Sequence, residues 1–183
     1  MLKKVAIVAG LLILVLVVVI TTRPDSFRVE RSMEIAAPPA AVFPLVNDFH
    51  KWAGWSPWDK LDPSMKRTYE GAPAGTGAVY GWVGNDKVGS GRMTIRDSQP
   101  DQHVAIKLEF IKPFPSTNDT RFTLTPSGSG TRLTWAMEGK NTFVSKAFTM
   151  FMDMDKMVGK DFEQGLTGIK GLAEGASAQH ARN

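Results

Sequence analysis

The segment 142-TFVSKAFTMFMDMDKMVGKDFEQGLTGIKGL-172 decides the fold. Val144, Phe148, Phe151, Val158, Phe162, Leu166 and Ile169 recur at helical spacing along one stripe. Lys146, Asp153, Lys156, Lys160, Glu163, Thr167 and Lys170 occupy the opposite side, as in an amphipathic helix with one buried face. At about 1.5 Å per residue this predicts a single rod on the order of 45 Å long. A rod of that length needs an apolar partner surface to match.

The segments upstream supply one. Phe27, Val29, Met33 and Ile35 alternate with Arg28, Glu30, Ser32 and Glu34, a half-buried strand in which Arg31 is the one misfit. Six more strands are predicted over 66–70, 78–83, 88–97, 103–111, 119–125 and 131–138. Between them lie turn-forming stretches such as Gly71-Ala72-Pro73-Ala74-Gly75 and Ser127-Gly128-Ser129-Gly130. Spacing this regular argues for consecutive hairpins rather than parallel βαβ units. Val104, Ile106, Leu108 and Phe110, then Phe122 and Leu124, then Leu133, Trp135 and Met137 form apolar faces opposite polar ones. One face of the sheet therefore meets a core and the other meets water.

Val5 to Ile20 is sixteen residues without a polar side chain, between Lys3-Lys4 and Thr21-Thr22-Arg23-Pro24. This run reads as a membrane segment within residues 1–22, joined by a linker at 23–26 to a domain spanning 27–174, with a disordered tail at 175–183. An uncleaved signal anchor is preferred over a cleaved signal peptide, because no small-x-small cleavage site follows the run. The two lysines before it place the N-terminus in the cytoplasm and the domain on the extracytoplasmic, periplasmic side.

Lys3 and Lys4 account for two of the 22 basic side chains, so the rest of the chain carries 20 basic against 18 acidic ones. With no basic stripe interleaved with aromatics, nucleic-acid binding is not expected. The absence of cysteine excludes disulfides, thiolate catalysis and Cys-ligated metals. The three histidines are widely separated, and no His-Glu-x-x-His helix, Gly-x-Ser-x-Gly elbow or Walker loop is present. Neither a cofactor nor a metal site is expected. Asp153 and Asp155 point about 200° apart on a helix and cannot chelate one ion together.

After the first strand, Ala36-Ala37-Pro38-Pro39 stops extended structure and starts a short helix that Pro44 must kink or end. Trp52, Trp55 and Trp58 follow within seven residues. They read either as a hydrophobic plug at one end of the core or as a ligand gate or interface patch.

The order of elements, together with particular residues, resembles the helix-grip fold of the START-like (SRPBCC) superfamily, in its polyketide cyclase/dehydrase and lipid-transport branch. Ile35-Ala36-Ala37-Pro38-Pro39-Ala40-Ala41-Val42-Phe43 is similar to the strand-end pattern I-x-A-P-x-x-x-V-F. Asp48 to Trp52 with Trp55-Ser56-Pro57-Trp58 is similar to D-x-x-x-W…W-x-P, and Asp161-Phe162-Glu163-Gln164-Gly165-Leu166 with Ile169-Lys170 completes the likeness. The resemblance implies an α+β fold: a curved antiparallel sheet of about seven strands around a long C-terminal helix, with two short helices after strand 1. The N-terminal transmembrane helix departs from the free soluble domain commonest in the family. The resemblance carries over no catalytic residue, since such motifs specify fold rather than function.

A sheet closed over a helix leaves space between them, and the expected function is binding of a hydrophobic small molecule or lipid in that space by a membrane-tethered domain. Candidate lining residues are Tyr80, Trp82, Ile106, Leu108, Phe110, Trp135, Phe148, Phe151 and Asp155, with Trp52, Trp55 and Trp58 as gate or interface candidates. Asp155 falls within the apolar stripe. It reads either as a buried carboxylate tied to an arginine or tyrosine of the sheet, or as a polar anchor for a ligand inside an otherwise apolar cavity. Phe143, Met150, Met154 and Met157 form a second apolar line, which fits packing under the tryptophan loop, a portal, or a face resting on the membrane. A cyclase- or dehydratase-type enzyme and an interaction module with a filled cavity are the alternative readings.

Overall fold

The computed structural model describes residues 1–150 and 153–180. Helix α1 (Leu2–Thr21) is followed by strand β1 (Ser26–Ile35), α2 (Pro39–Asn47), a 3₁₀ segment (Phe49–Gly54) and α3 (Pro57–Leu61). Six strands come next, β2 (Lys66–Gly71), β3 (Ala78–Val83), β4 (Ser90–Gln99), β5 (His103–Lys112), β6 (Ser116–Ser127) and β7 (Gly130–Lys140). Helices α4 (Phe143–Phe148) and α5 (Met154–His180) close the chain. The strands form one antiparallel sheet in the order β1-β7-β6-β5-β4-β3-β2. This is the α+β helix-grip arrangement: a curved seven-stranded sheet and a long C-terminal helix.

Alternation along the strands produces two faces. Outward, Glu34 and Arg132 stand directly opposite each other across β1 and β7 and pair at 2.6 Å, and Ser32 bonds Thr134 at 2.8 Å. Inward, Val29, Ile35, Ile95, Ile106, Phe122 and Leu133 are fully buried with Phe162, Leu166 and Ile169 of α5. Trp135 stacks on Phe162 with ring centroids 4.0 Å apart.

The predicted rod over 142–172 is not continuous. Thr142 Oγ1 accepts from the Ser145 backbone N–H at 3.2 Å and Asp153 Oδ1 from that of Lys156 at 3.1 Å. Each side chain satisfies an amide with no partner inside its helix, so two starts are encoded eleven residues apart. The break lets α4 pack against α1, where Ile20 is buried. Helix α5 also runs past Leu172 to His180. Residues 175–180, expected as disordered tail, continue it, with Ala176, Ala178 and Gln179 favouring helix; residues 181–183 lie outside those described.

Arg31, the misfit on the apolar face of β1, determines where α5 sits. Its Nη1 and Nη2 donate to Asp155 Oδ1 and Oδ2 at 3.0 and 2.9 Å, and Nη2 also reaches the Asp155 carbonyl at 3.0 Å. Its Nε donates to Glu163 Oε1 at 2.8 Å. Further along, Lys170 Nζ donates to the Glu34 carbonyl at 2.8 Å, and the Ala36 N–H to Glu174 Oε1 at 2.7 Å. These bonds hold α5 over β1, at one side of the sheet.

Candidate functional site

Helix α5 packs chiefly over β1, and between its first turns and the apolar faces of β3, β4 and β5 a gap remains. A cavity of about 350 Å³ lies there, within the range of small-molecule sites. Tyr80 and Trp82 of β3, Met93 of β4, Leu108 and Phe110 of β5, Thr120 of β6, and Trp135 and Met137 of β7 form its sheet wall. Met157, Val158, Asp161 and Phe162 of α5 form its roof, and Trp52, Trp58, Leu61 and Met65 close one side. A Cβ on Gly91 would come within 2.5 Å of two Trp82 ring atoms and of the Glu109 carbonyl oxygen. Glycine at this point lets the Trp82 ring approach β4 closely, with its Nε1 donating to the Val88 carbonyl at 3.1 Å.

The lining is mostly apolar, with polar groups at few points. The Trp135 indole N–H and the Thr120 hydroxyl are buried and have no hydrogen-bond partner among the described residues. The two residues sit on adjacent strands, Thr120 opposite Met137 and Trp135 opposite Phe122, so they are diagonal neighbours on the same inward face. Burial pushes the Asp161 carboxyl above its ordinary range and the Tyr80 phenol up to about 12. At the rim, Arg67 Nε donates to Asp59 Oδ1 at 2.8 Å. Among the described residues no cluster of three His, Asp or Glu side chains is arranged to hold a metal.

Of the residues singled out from sequence, Tyr80, Trp82, Leu108, Phe110 and Trp135 line the cavity together, as do Trp52 and Trp58. Ile106 is buried in the core and does not reach the cavity surface. Trp55 is likewise a core residue, 2% exposed, its Nε1 bonded to the Leu45 carbonyl at 2.9 Å; the plug reading describes it and the gate reading does not. Phe148 lies on α4, outside the cavity, exposed and against Phe114 with centroids 6.2 Å apart. Asp155 is also outside and paired with Arg31: the expected arginine partner is present, but the carboxylate is more than half exposed rather than buried. Phe151 lies outside the described residues.

Thr120, Met137, Val158 and Asp161 are among several lining residues that the sequence does not single out as such. Thr120 shares the parity of Phe122 and Leu124 along β6, and that parity could have placed it. Asp161 lies one turn after Met157, off the stripe that was followed.

A larger depression, about 570 Å³, lies on the outward face of the sheet among Arg28, Glu30, Arg96, Asp119, Arg121 and Glu138. Arg28 pairs with Glu30 and Glu138, and Arg96 lies 4.0 Å from Asp119. Its charges are largely satisfied by one another and face solvent, so the inner cavity is the better site for an apolar ligand.

A curved antiparallel sheet, a long helix across its inner face and an apolar hollow between them define a helix-grip protein. Residues 26–174 match the family described as polyketide cyclase / dehydrase and lipid transport, and the chain belongs to that family. Similar solved structures include protein CV1439 from Chromobacterium violaceum, 18% identical, covering 83% of this chain and 99% of that one with a TM-score of 0.58. TTHA0849 from Thermus thermophilus is 16% identical, with 82% and 99% covered and a TM-score of 0.59. The Aha1 dimer from Colwellia psychrerythraea is 12% identical, with 81% and 96% covered and a TM-score of 0.58. At these identities the likeness is one of fold. No curated protein sequence matches the chain significantly.

Proposed function

We propose that this protein is a membrane-tethered helix-grip domain that binds a hydrophobic small molecule or lipid in the cavity beneath α5. The observation that carries the reading is the hollow of about 350 Å³ whose apolar wall contains two buried, unpartnered polar groups, Trp135 Nε1–H and Thr120 Oγ1. Burial of ligand area supplies affinity at roughly 25 cal/mol per Å². The polar pair supplies orientation: an indole N–H only donates, so the ligand presents a hydrogen-bond acceptor such as a carbonyl or ester oxygen. An unfilled hollow favours this reading over an interaction module packed solid with its own side chains.

Helix α1 is long and apolar enough to cross a membrane, and Lys3 and Lys4 before it favour a domain on the extracytoplasmic side. Native mass spectrometry of the full chain, released from detergent, tests the binding reading. A retained apolar molecule is expected on the parent protein and not on Leu108→Trp, whose indole fills the hollow. No retained molecule on the parent, or equal retention by both, counts against it.

A further inference from the structure

Strand register divides the molecule into two ends. Ser26 of β1 pairs with Lys140 of β7, Phe110 of β5 with Ser116 of β6, Ser90 of β4 with Lys112, and Lys66 of β2 with Val83 of β3. All of these lie at one end of the sheet, the end where α1 enters. Asn141 Nδ2 donates to the Pro24 carbonyl at 3.0 Å and the Asn141 N–H to the Asp25 carbonyl at 2.8 Å, while the buried Lys146 pairs with Asp25. The connection from α1 is thereby fastened to the start of α4. The cavity opens at the same end: along β5, Val104 and Ile106 are buried while Leu108 and Phe110 are only partly so. Met157 and Val88 stand at its margin.

Exposed apolar side chains gather here as well. Among the described residues that follow α1, ten large ones are exposed, and eight lie at this end. Six of them, Ile111, Phe114, Phe143, Val144, Phe148 and Met157, are 46–64% exposed; Leu61 and Val83 are the others. Phe114 of the β5–β6 turn touches Phe148 of α4, and α4 touches α1, so this apolar surface is continuous with the apolar helix. Arg23, Lys66, Lys87, Lys112 and Lys140 surround it, all exposed and none ion-paired among the described residues. Of the acids here, Asp25, Asp59 and Asp155 are paired with Lys146, Arg67 and Arg31, and Asp86 is exposed.

We infer that this end of the domain is a docking face for the lipid bilayer, with Phe114, Val144 and Phe148 entering the headgroup–acyl boundary and the lysines meeting anionic headgroups. Scattered exposed apolar residues need no explanation, but a contiguous patch rimmed by charge marks an interaction site. Aromatic and aliphatic groups inside a basic ring suit a membrane interface. The cavity mouth then faces the bilayer, and an apolar ligand passes between the two without crossing water. The inference rests on the reading of α1 as a membrane span.

Because the chain contains no cysteine, single-site labelling of the full protein tests both. Phe114→Cys, Val144→Cys, Ser129→Cys and Leu12→Cys, each carrying an environment-sensitive fluorophore, are reconstituted in vesicles of phosphatidylcholine and phosphatidylglycerol containing nitroxide-labelled lipid. Docking to a depth of about 5–10 Å predicts that labels at 114 and 144 lose roughly half or more of their emission. The label at 129, in the far-end turn, loses none, and the label at 12 is quenched by deep nitroxides. Quenching at 12 without quenching at 114 and 144 overturns docking and leaves the span standing. No quenching at 12 overturns both. Labels at 114 and 144 shielded from aqueous iodide and from lipid nitroxide alike mean that another protein surface covers the face, which also overturns the inference.

Discussion

The guanidinium of Arg31 occupies the space where a side chain on Gly159 would begin: a Cβ there would lie within 2.9 Å of three guanidinium atoms. Asp155 and Glu163, one turn either side of Gly159, accept its hydrogen bonds. A strand residue is thus held against the backbone of a helix, and the placement of α5, and with it the hollow beyond, follows from that contact.

Gly159→Ala and Arg31→Met are therefore expected to be coupled. In the parent, the new methyl displaces the guanidinium from its partners, so the usual helix gain of alanine over glycine is not realised. With Arg31→Met already present, the same change should stabilise by about 1 kcal/mol. Urea titrations of the four proteins, followed by tryptophan fluorescence, measure the cycle; additive effects would separate the two positions.

Asp155→Asn is expected to lower the thermal midpoint more than Asp153→Asn. Asparagine at 153 still accepts from the Lys156 amide as an N-cap, whereas asparagine at 155 loses the charge that faces Arg31. The guanidinium holds the Asp155 carboxyl below its ordinary value of 3.8. A depressed folded-state pKa gives stability that is complete above that value and is lost as pH falls through the lower folded-state one. The gap between parent and Asp155→Asn midpoints should accordingly narrow in acid below 3.8. A gap constant from neutral pH to strong acid would assign the effect to packing.

Thr120→Val replaces an unpartnered hydroxyl by a methyl of the same shape. Removing a buried polar group that has no partner should stabilise the ligand-free protein by about 1–2 kcal/mol. It should also reduce the fraction carrying a retained molecule in native mass spectrometry. Lower stability with unchanged retention would show that the hydroxyl is satisfied within the protein.

Tyr80, 6% exposed on the cavity wall, has its phenol pushed up to about 12 from an ordinary 10.0 by burial. A raised pKa on an acid means that the folded state resists ionisation. Its contribution is intact below pH 10 and is lost as pH rises toward and past 12, on the order of 2 kcal/mol in all. Tyr80→Phe should be less sensitive to alkali over that interval, read as the change in urea midpoint between pH 9 and pH 12. Parallel curves for the two proteins would mean that the phenol reaches solvent.

Much of this architecture was legible in the residues. Alternation in 27–35 and 103–110 fixed which side chains face inward, and because parity survives small errors at strand ends, Tyr80, Trp82, Leu108, Phe110 and Trp135 were assigned together. What failed was continuity across 149–153. The spacing from Val144 through Phe148 and Phe151 to Val158 carries on as though one helix ran through it, and Asp153 read as surface charge rather than as a second start. Phe148 and Asp155 were drawn into the cavity by that assumed rod. Arg31 was visible as a break in the alternation, but its partners lie 124 and 132 residues away, a distance that no local pattern spans. Thr120 and Asp161 depend on where α5 rests, which that pairing determines.

Only Thr22 to Asp25 separate α1 from β1, about 14 Å at full stretch, and Asn141 and Lys146 already hold two of those residues. With α1 seated in a bilayer, such a leash has no slack to give. Under the proposed function the domain would be a fixed berth rather than a ferry: cargo would be loaded and collected where it stands, and any onward journey would fall to a separate, mobile vehicle.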